Sequence, residues 1–160
     1  MEKKIAIKIH DESAHDYDQQ VVKYNWFGHE ILFGMCVDYI RPGDFLLDVG
    51  IGTGLGSKLF SKFGLKVFGI DGSQEMLRIC QSKCMTEDLQ VFDLHNSPLP
   101  YSDHFFNHAV SCGVFHFFNE LDSIFKEISR VIRPHGIFAF TTMSGIQAEK
   151  KDIPACKHEN

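Results

Sequence analysis

The chain has 160 residues, of which 44% are hydrophobic and 23% charged, a composition typical of one soluble globular domain. Its formal net charge of −5 argues against the basic surface that non-specific nucleic-acid binding requires, so no nucleic-acid partner is expected. The sequence has no apolar run of the roughly 18 residues that a membrane span needs and no signal-peptide core at its start, which predicts a cytoplasmic protein that does not bind membranes.

The first 40 residues predict an arm followed by a helix. Ile5, Ile7 and Ile9 occupy alternate positions, as in a short strand or an ordered arm. From Tyr17 to Ile40 apolar residues recur at helical spacing, which predicts one helix with an apolar packing face. The predicted face includes Val21, Tyr24, Trp26, Phe27, Ile31, Leu32, Met35 and Tyr39. The sequence Arg41-Pro42-Gly43-Asp44 ends that helix and opens a turn.

Beyond this turn, strand patterns alternate with helix patterns. The predicted strands are Phe45–Val49, Lys66–Ile70, Leu89–Phe92, Asn107–Cys112 and Ile137–Thr142. The predicted helices are Leu55–Phe63, Ser73–Lys83 and Leu121–Ile132. Such alternation implies βαβ units with right-handed crossovers. The expected fold class is therefore α/β, with a doubly wound, Rossmann-like, mostly parallel sheet of about five strands inside three αβα layers.

These patterns predict a single domain over residues 1–160, with an N-terminal arm and helix at 1–40, the Rossmann-like core at 41–142 and a tail at 143–160. The five cysteines are odd in number, irregularly spaced and without a second pair at zinc spacing. They predict reduced thiols and no metal site.

The most informative run is Asp48-Val49-Gly50-Ile51-Gly52-Thr53-Gly54, in which a buried strand ends in a carboxylate and a glycine-spaced turn leads into a helix. Glycine lets the backbone turn sharply and approach a ligand closely, because no Cβ stands in the way. The N-terminus of the following helix has free N–H groups. Strand, glycine turn and helix together form the mouth of a nucleotide-type site in an α/β sheet.

The glycine register separates two kinds of nucleotide site. The dinucleotide fingerprint Gly-x-Gly-x-x-Gly would need glycine at position 55, 57 or 59, which are Leu55, Ser57 and Leu59. A nicotinamide-dependent oxidoreductase is therefore the less favoured alternative. Asp48, followed by Gly-x-Gly-x-Gly, instead resembles the first motif of the class I S-adenosylmethionine-dependent methyltransferases, and the resemblance spans roughly residues 40–142.

This resemblance implies how the adenosine part of S-adenosylmethionine is held. Asp71, with Gly72 after it, ends the second strand, where a carboxylate can accept hydrogen bonds from both ribose hydroxyls; the alternative is that Asp71 only caps the next helix. Asp93 and Leu94 follow the third strand, where the family places an acid at the adenine amino group and a backbone amide at the ring edge. Met76 is either an adenine contact or a core residue.

The resemblance also implies residues near the methionine part of the cofactor. Two roles are open for Asp48, which can accept turn N–H groups and can balance the positive sulfonium and amino groups. Gly50 and Gly52, with Gly54 completing the motif, would pass beneath the methionine moiety. The backbone of Cys112 would lie beneath the cofactor, near the transferred methyl group.

Two further residues are candidates on the acceptor side. His116 matches a histidine that relatives often carry after the fourth strand, and it could act as a general base for the acceptor. The alternative is a histidine packed among Phe115, Phe117 and Phe118. Tyr17 is the candidate lid contact, because an N-terminal segment folds over the cofactor in related enzymes.

The expected function is methyl transfer from S-adenosylmethionine to a small-molecule acceptor. Family members usually continue past the fifth strand with a helix and an antiparallel strand pair, whereas residues 143–160 are mostly polar and carry no strand pattern. That hairpin is therefore predicted to be missing, which would expose the fifth strand as an edge that a homodimer could cover. The missing strands support an alternative, a cofactor-binding domain without catalytic activity, either truncated or regulatory.

Overall fold

The computed structural model describes residue 11 and residues 14–142. The predictions for the arm containing Ile5, Ile7 and Ile9 and for the tail at 143–160, including the absence of the C-terminal hairpin, therefore lie outside the described residues.

Strands and helices alternate as predicted, with ends that differ by one or two residues. The strands are β1 (Phe45–Val49), β2 (Lys66–Asp71), β3 (Asp88–Val91), β4 (His108–Cys112) and β5 (Phe138–Thr141). The α-helices are α1 (Tyr17–Lys23), α2 (Gly28–Cys36), α3 (Ser57–Phe63), α4 (Gln74–Ser82) and α5 (Asp122–Val131). Two 3₁₀ turns, Ala14–Asp16 and Phe115–Phe117, complete the regular structure of the described chain.

The five strands form one sheet in the order β3-β2-β1-β4-β5, and every neighbouring pair is parallel. The predicted doubly wound, Rossmann-like fold is therefore confirmed. The strand order reverses between β1 and β4, which makes this the topological switch point of the sheet. Because all strands run the same way, their carboxyl ends share one edge, and the residues that end β1 to β4 are brought together there.

Helices cover both faces of the sheet and enclose two cores. One core joins side chains of α2, α3 and α4 to the sheet, and its buried residues include Leu32, Phe60, Leu77, Leu46 and Val67. The other lies beneath α5 and the long β3–β4 connection, and includes Ile124, Ile128, Leu47, Val49 and Phe106. Leu46 and Leu47 point to opposite faces and are both fully buried, as expected for the central strand of a three-layer fold.

The N-terminal segment departs from the prediction of one helix over residues 17–40, which was wrong. The chain forms α1 and α2 with a break between them, where Asn25 takes a left-handed φ of 50°. The predicted packing face was also wrong for α2, since Phe27, Ile31 and Met35 are 58–60% exposed. Helical spacing identifies a stripe but not the direction in which it faces, and the stripe that contains Leu32 is the buried one.

The β3–β4 connection is held by α5 rather than by a helix of its own within the described chain. Glu127 Oε2 accepts the Leu99 N–H at 2.8 Å, and the Arg130 guanidinium donates to the backbone oxygens of Leu99 and Tyr101 at 3.1 and 2.9 Å. Glu127 and Arg130 also pair with each other at 2.7 Å. These bonds hold the connection after β3 at Leu99 and Tyr101.

Among the described strands, β3 and β5 form the two edges of the sheet. Coverage of the β5 edge by a second subunit stays a prediction. None of the helices in the described ranges is long and apolar enough to cross a bilayer.

Candidate functional site

A cavity of about 750 Å³ opens at the carboxyl edge of the sheet, over the switch point, with α1 along one side. Its walls come from the ends of β1 to β4 and from the segment after β4. All of the predicted site residues except Asp48 and Gly54 line it, namely Tyr17, Gly50, Gly52, Asp71, Gly72, Met76, Asp93, Leu94, Cys112 and His116. The topology thus brings together residues that are up to 99 positions apart in the chain.

The glycines of the turn after β1 serve different purposes. Gly52 has a left-handed φ of 54°, and a Cβ added there would have nothing within 4 Å, so this position borders open space. Gly54 has a φ of 80°, and its Cβ would lie 2.6 Å from Cys80 Sγ and 2.1 Å from Met85 Cε. Gly54 therefore allows the turn to pack against α4 and the residues after it, outside the cavity lining; its contact with a cofactor stays a prediction.

Asp71 connects this turn to the end of β2. Its Oδ2 accepts the Gly52 N–H at 2.8 Å, and its Oδ1 accepts the Ser73 N–H at 2.8 Å. The cap of α4 is Ser73 itself, whose Oγ accepts the Met76 N–H at 3.1 Å. Capping alone therefore does not account for Asp71, because one carboxylate oxygen holds the glycine turn. A carboxylate offers about four acceptor positions, so these bonds are compatible with further ones to a ligand.

Asp93 forms part of a second polar wall beyond β3. Its Oδ1 accepts the His95 N–H at 3.0 Å and lies 2.8 Å from His95 Nδ1. The His95 ring in turn lies 4.6 Å from the Phe118 ring, measured between centroids. His95 is not among the residues predicted from the sequence, although its position two residues after an aspartate is the usual spacing of an Asx turn.

Asp48 lies behind the glycine turn, beside a separate cavity of about 30 Å³ that Tyr17 and His29 also line. The carboxylate is 2% exposed; Ser57 Oγ donates to its Oδ2 at 2.6 Å, while its Oδ1 has no hydrogen-bond partner among the described residues. The pKa of Asp48 is raised to about 7, chiefly by burial; the hydrogen bond from Ser57 opposes this rise and the nearby Asp71 adds to it. An unpaired buried oxygen of this kind calls for a ligand group or a water molecule.

Polar contacts, rather than buried apolar side chains, hold α1 beside the cavity. None of the residues of α1 is buried, so packing does little to fix this helix. Asp18 Oδ1 accepts a hydrogen bond from Thr53 Oγ1 at 2.5 Å, and Asp18 Oδ2 lies 2.5 Å from Lys83 Nζ. We call this arrangement the Asp18 latch. It joins α1 to the glycine turn and to the end of α4, while Tyr17 of the same helix lines the cavity.

The β4 side of the cavity carries the remaining candidates. Cys112 Sγ lies 3.2 Å from Thr141 Oγ1, and burial raises the pKa of the Cys112 thiol to about 11, so the thiol is neutral. The His116 ring packs against Phe117 at 4.0 Å between centroids and also lines the cavity. His116 can thus both pack against a phenylalanine and face a ligand, so the two interpretations made from the sequence are compatible. Its role as a general base stays a prediction.

Two lining residues were assigned to the wrong environment by sequence analysis. Tyr24 and Trp26 were interpreted as part of a helix packing face. They lie instead in the break between α1 and α2, are 72% and 39% exposed, and line the cavity. No local signal distinguishes these two interpretations, because the break depends on how α1 and α2 dock on the sheet.

Comparison with known proteins gives a family match and several relatives. The family model described as a methyltransferase domain matches residues 47–140. A malonyl-(acyl-carrier protein) O-methyltransferase of Serratia marcescens is 28% identical over 142 residues, which make up 89% of this chain and 54% of the relative. A demethylmenaquinone methyltransferase of Tropheryma whipplei is 29% identical over 97 residues, 61% of this chain and 41% of the relative.

Among solved structures, the chain is similar to the putative methyltransferase in a complex with the Trm112 methyltransferase activator of Haloferax volcanii. The TM-score is 0.70 and the identity 25%, covering 81% of this chain and 57% of that one. The chain spans about half the length of the curated relatives it matches.

The raised pKa of Asp48 makes stability depend on pH. The folded protein holds a proton on Asp48 up to about pH 7, whereas the unfolded chain releases it near pH 3.8. Stability that is fully present below pH 3.8 is therefore lost as the pH rises from there through 7. Replacing Asp48 with Asn removes the titration. Relative to the unaltered protein, the free energy of unfolding of Asp48→Asn should therefore be about 2 kcal/mol larger at pH 8 than at pH 5.5, which means a more stable variant at pH 8. Urea unfolding at both pH values measures this, with the exposed Asp38→Asn as control; parallel pH profiles would contradict it.

The two glycines of the turn should respond differently to alanine. Both substitutions place a side chain at a left-handed φ, which costs about 1 kcal/mol. Gly54→Ala also forces its methyl group against Cys80 and Met85 and should lose a further 1–3 kcal/mol or so, as in overpacked cores. Gly52→Ala should lose little beyond the strain. Chemical denaturation of both variants measures the difference, and equal losses would refute the separate roles.

The Asp18 latch should control how often α1 opens. Asp18→Asn removes the charge that holds Lys83 and weakens the bond to Thr53, so amide hydrogen exchange within Tyr17–Lys23 should accelerate by at least roughly tenfold. Exchange in α5 should not change. Asp16→Asn is the matched control, because Asp16 is exposed and its side chain makes no capping bond. Equal protection of α1 in both variants would show that the latch does not hold the helix.

Proposed function

Because this chain belongs to the class I S-adenosylmethionine-dependent methyltransferase family, we propose that it transfers the methyl group of that cofactor to a small-molecule acceptor. The observation that carries the proposal is the cavity in which acids from the ends of neighbouring strands surround the glycine turn. Strand-end acids around such a turn suit a ligand with a ribose at one end and a positive charge at the other.

The residues present fit this cofactor. In the proposal, Asp71 accepts the ribose hydroxyls beside the turn that it already holds, and Asp93 and Leu94 contact the adenine ring. Gly52 leaves room for the methionine portion, because a Cβ there would enter open space. Asp48 is buried on that side, and a positively charged ligand group beside its Oδ1 would lower its raised pKa and stabilise the negative charge of the ionised carboxylate. Burial lowers the pKa of the neighbouring His29, so this histidine is neutral at pH 7 and does not offset that charge.

S-adenosylmethionine supplies a methyl group already activated by its positively charged sulfur, so the protein has chiefly to align the reactants and exclude water. In this chain α1, held by the Asp18 latch, forms one side of the cavity. In the proposal, His116, which lines the cavity, takes a proton from the acceptor. The neutral Cys112 thiol does not present a thiolate that would compete for the methyl group.

Family membership by itself does not select the acceptor. The two relatives described above are named for different substrates, malonyl-(acyl-carrier protein) and demethylmenaquinone. The proposal of a small-molecule acceptor is supported by the size of the cavity, since about 750 Å³ lies in the usual range of small-molecule sites.

Calorimetric titration tests the cofactor assignment. S-adenosylhomocysteine should bind with micromolar affinity and NAD should give no heat; the reverse result would refute the proposal. Asp71→Ala should weaken binding of S-adenosylhomocysteine by at least roughly tenfold, because it removes charge-assisted hydrogen bonds. Asp38→Ala, at an exposed position away from the cavity lining, is the matched control, and thermal unfolding checks that each variant is folded.

Catalysis needs a separate measurement, since a domain that only binds the cofactor would pass the titration. Transfer of a labelled methyl group to added acceptors distinguishes the two. Binding of S-adenosylhomocysteine without transfer to any acceptor in a broad panel would favour the non-catalytic alternative.

A further inference from the structure

We propose that the β4 side of the cavity is a binding subsite for an uncharged, planar aromatic acceptor. We call it the aromatic subsite and define it by Tyr24, Trp26, Val114 and Phe117, all of which line the cavity. This inference rests on the proposed function, because it assigns the acceptor end of the same cavity.

Trp26 is a rigid wall on this side. A Cβ on Gly28 would lie 2.5 Å from Trp26 Cζ2, so the indole packs directly on that glycine. The indole also stands perpendicular to the His29 ring at 4.6 Å between centroids. A Cβ on Gly113, the residue after β4, would lie 3.6 Å from Trp26 Cη2. Trp26 is thus fixed next to the end of β4, yet 39% of it remains exposed.

Other apolar side chains extend this wall. Val114 lies next to the glycine turn, since a Cβ on Gly50 would meet Val114 Cγ2 at 2.4 Å. Phe117 is 38% exposed and Tyr24 is 72% exposed, and both line the cavity. Most other phenylalanines of the described chain pack into the two cores. Exposed aromatic rings gathered around a cavity indicate a ligand that covers them, and flat rings are best covered by another flat ring.

The charges around the cavity indicate that the ligand is not an anion. No lysine or arginine is among the described residues that line it, whereas Asp71, Asp93 and Glu120 are. Carboxylates and phosphates are usually bound by arginine or lysine. His95 lies against Asp93 and is held there. With Asp71 and Asp93 taken up by the cofactor, a carboxylate acceptor would find Glu120 in the described lining and no basic partner other than His116, so an uncharged acceptor fits better.

The chain contains a single tryptophan, so the indole N–H of Trp26 gives one unambiguous nuclear magnetic resonance signal from this wall. The experiment titrates three probes into the full chain saturated with S-adenosylhomocysteine. Naphthol is planar and uncharged, naphthoate has the same rings with a negative charge, and decahydronaphthol has a similar size without planarity. Calorimetry on the same samples measures the affinities.

Naphthol should shift the Trp26 signal and bind at least roughly tenfold more tightly than naphthoate and several-fold more tightly than decahydronaphthol. Naphthoate binding as tightly as naphthol would overturn the charge argument, and decahydronaphthol doing so would overturn the argument from planarity. Displacement of S-adenosylhomocysteine by naphthol would show that the aromatic probe uses the cofactor region, which also overturns the subsite.

Two variants and a matched control locate the binding. Phe117→Ala and Tyr24→Ala should each weaken naphthol binding several-fold and leave the affinity for S-adenosylhomocysteine unchanged. Phe27→Ala removes an aromatic ring that is 60% exposed but does not line the cavity, and it should change neither affinity. Equal naphthol binding by all three variants would refute the subsite.

The two levels of inference fail in different ways. If S-adenosylhomocysteine itself does not bind, the proposed function is wrong. If it binds and naphthol neither shifts the Trp26 signal nor gives heat, only the aromatic subsite is wrong.

Discussion

The backbone between β1 and α3 has to pass between two carboxylates, and the rest of the site depends on this constraint. Asp48, near the end of β1, is held by Ser57, the first residue of α3. Asp71, at the end of the neighbouring strand β2, accepts the Gly52 N–H. The turn can follow this path because Gly50 and Gly52 adopt left-handed φ values that other residues rarely take. One bond on each side thus fixes the floor of the cavity.

The same constraint makes the site electrostatically incomplete. Burial and the proximity of Asp71 keep the pKa of Asp48 near 7, and one of its oxygens has no hydrogen-bond partner within the part of the chain that the structure describes. Such a group lowers the stability of the folded protein at pH values where it ionises. Perturbed acids of this kind concentrate at functional sites, where a ligand of opposite charge offsets the penalty. In the proposed function that ligand is the positively charged cofactor.

The sheet with its packed helices and the helix α1 beside the cavity are held by different forces. The sheet and the helices beside it are anchored by fully buried residues such as Leu46, Phe60 and Ile128. The helix α1 has fewer such anchors: none of its own residues is buried, only Ala14 just before it is, and the Asp18 latch ties it to the glycine turn and to α4. Hydrophobic burial makes the sheet and its packed helices rigid, whereas α1, held mainly by a few polar bonds, can open at a lower cost in free energy. This division suits a cavity that has to admit and release ligands.

The sequence by itself determined the parts of this protein that depend on local patterns. Alternating strand and helix periods predicted the parallel sheet, and the spacing of Asp48, the glycines, Asp71 and Asp93 predicted a shared edge, because parallel strands end on the same side. Only the tertiary structure decided which face of the N-terminal segment is buried. It placed Tyr24 and Trp26 in the cavity, and it brought Asp18 to Thr53 across 35 positions and to Lys83 across 65. Periodicity shows that one side of a helix is apolar. Which segment that side packs against depends on contacts between residues far apart in the chain, and a single sequence does not reveal those contacts.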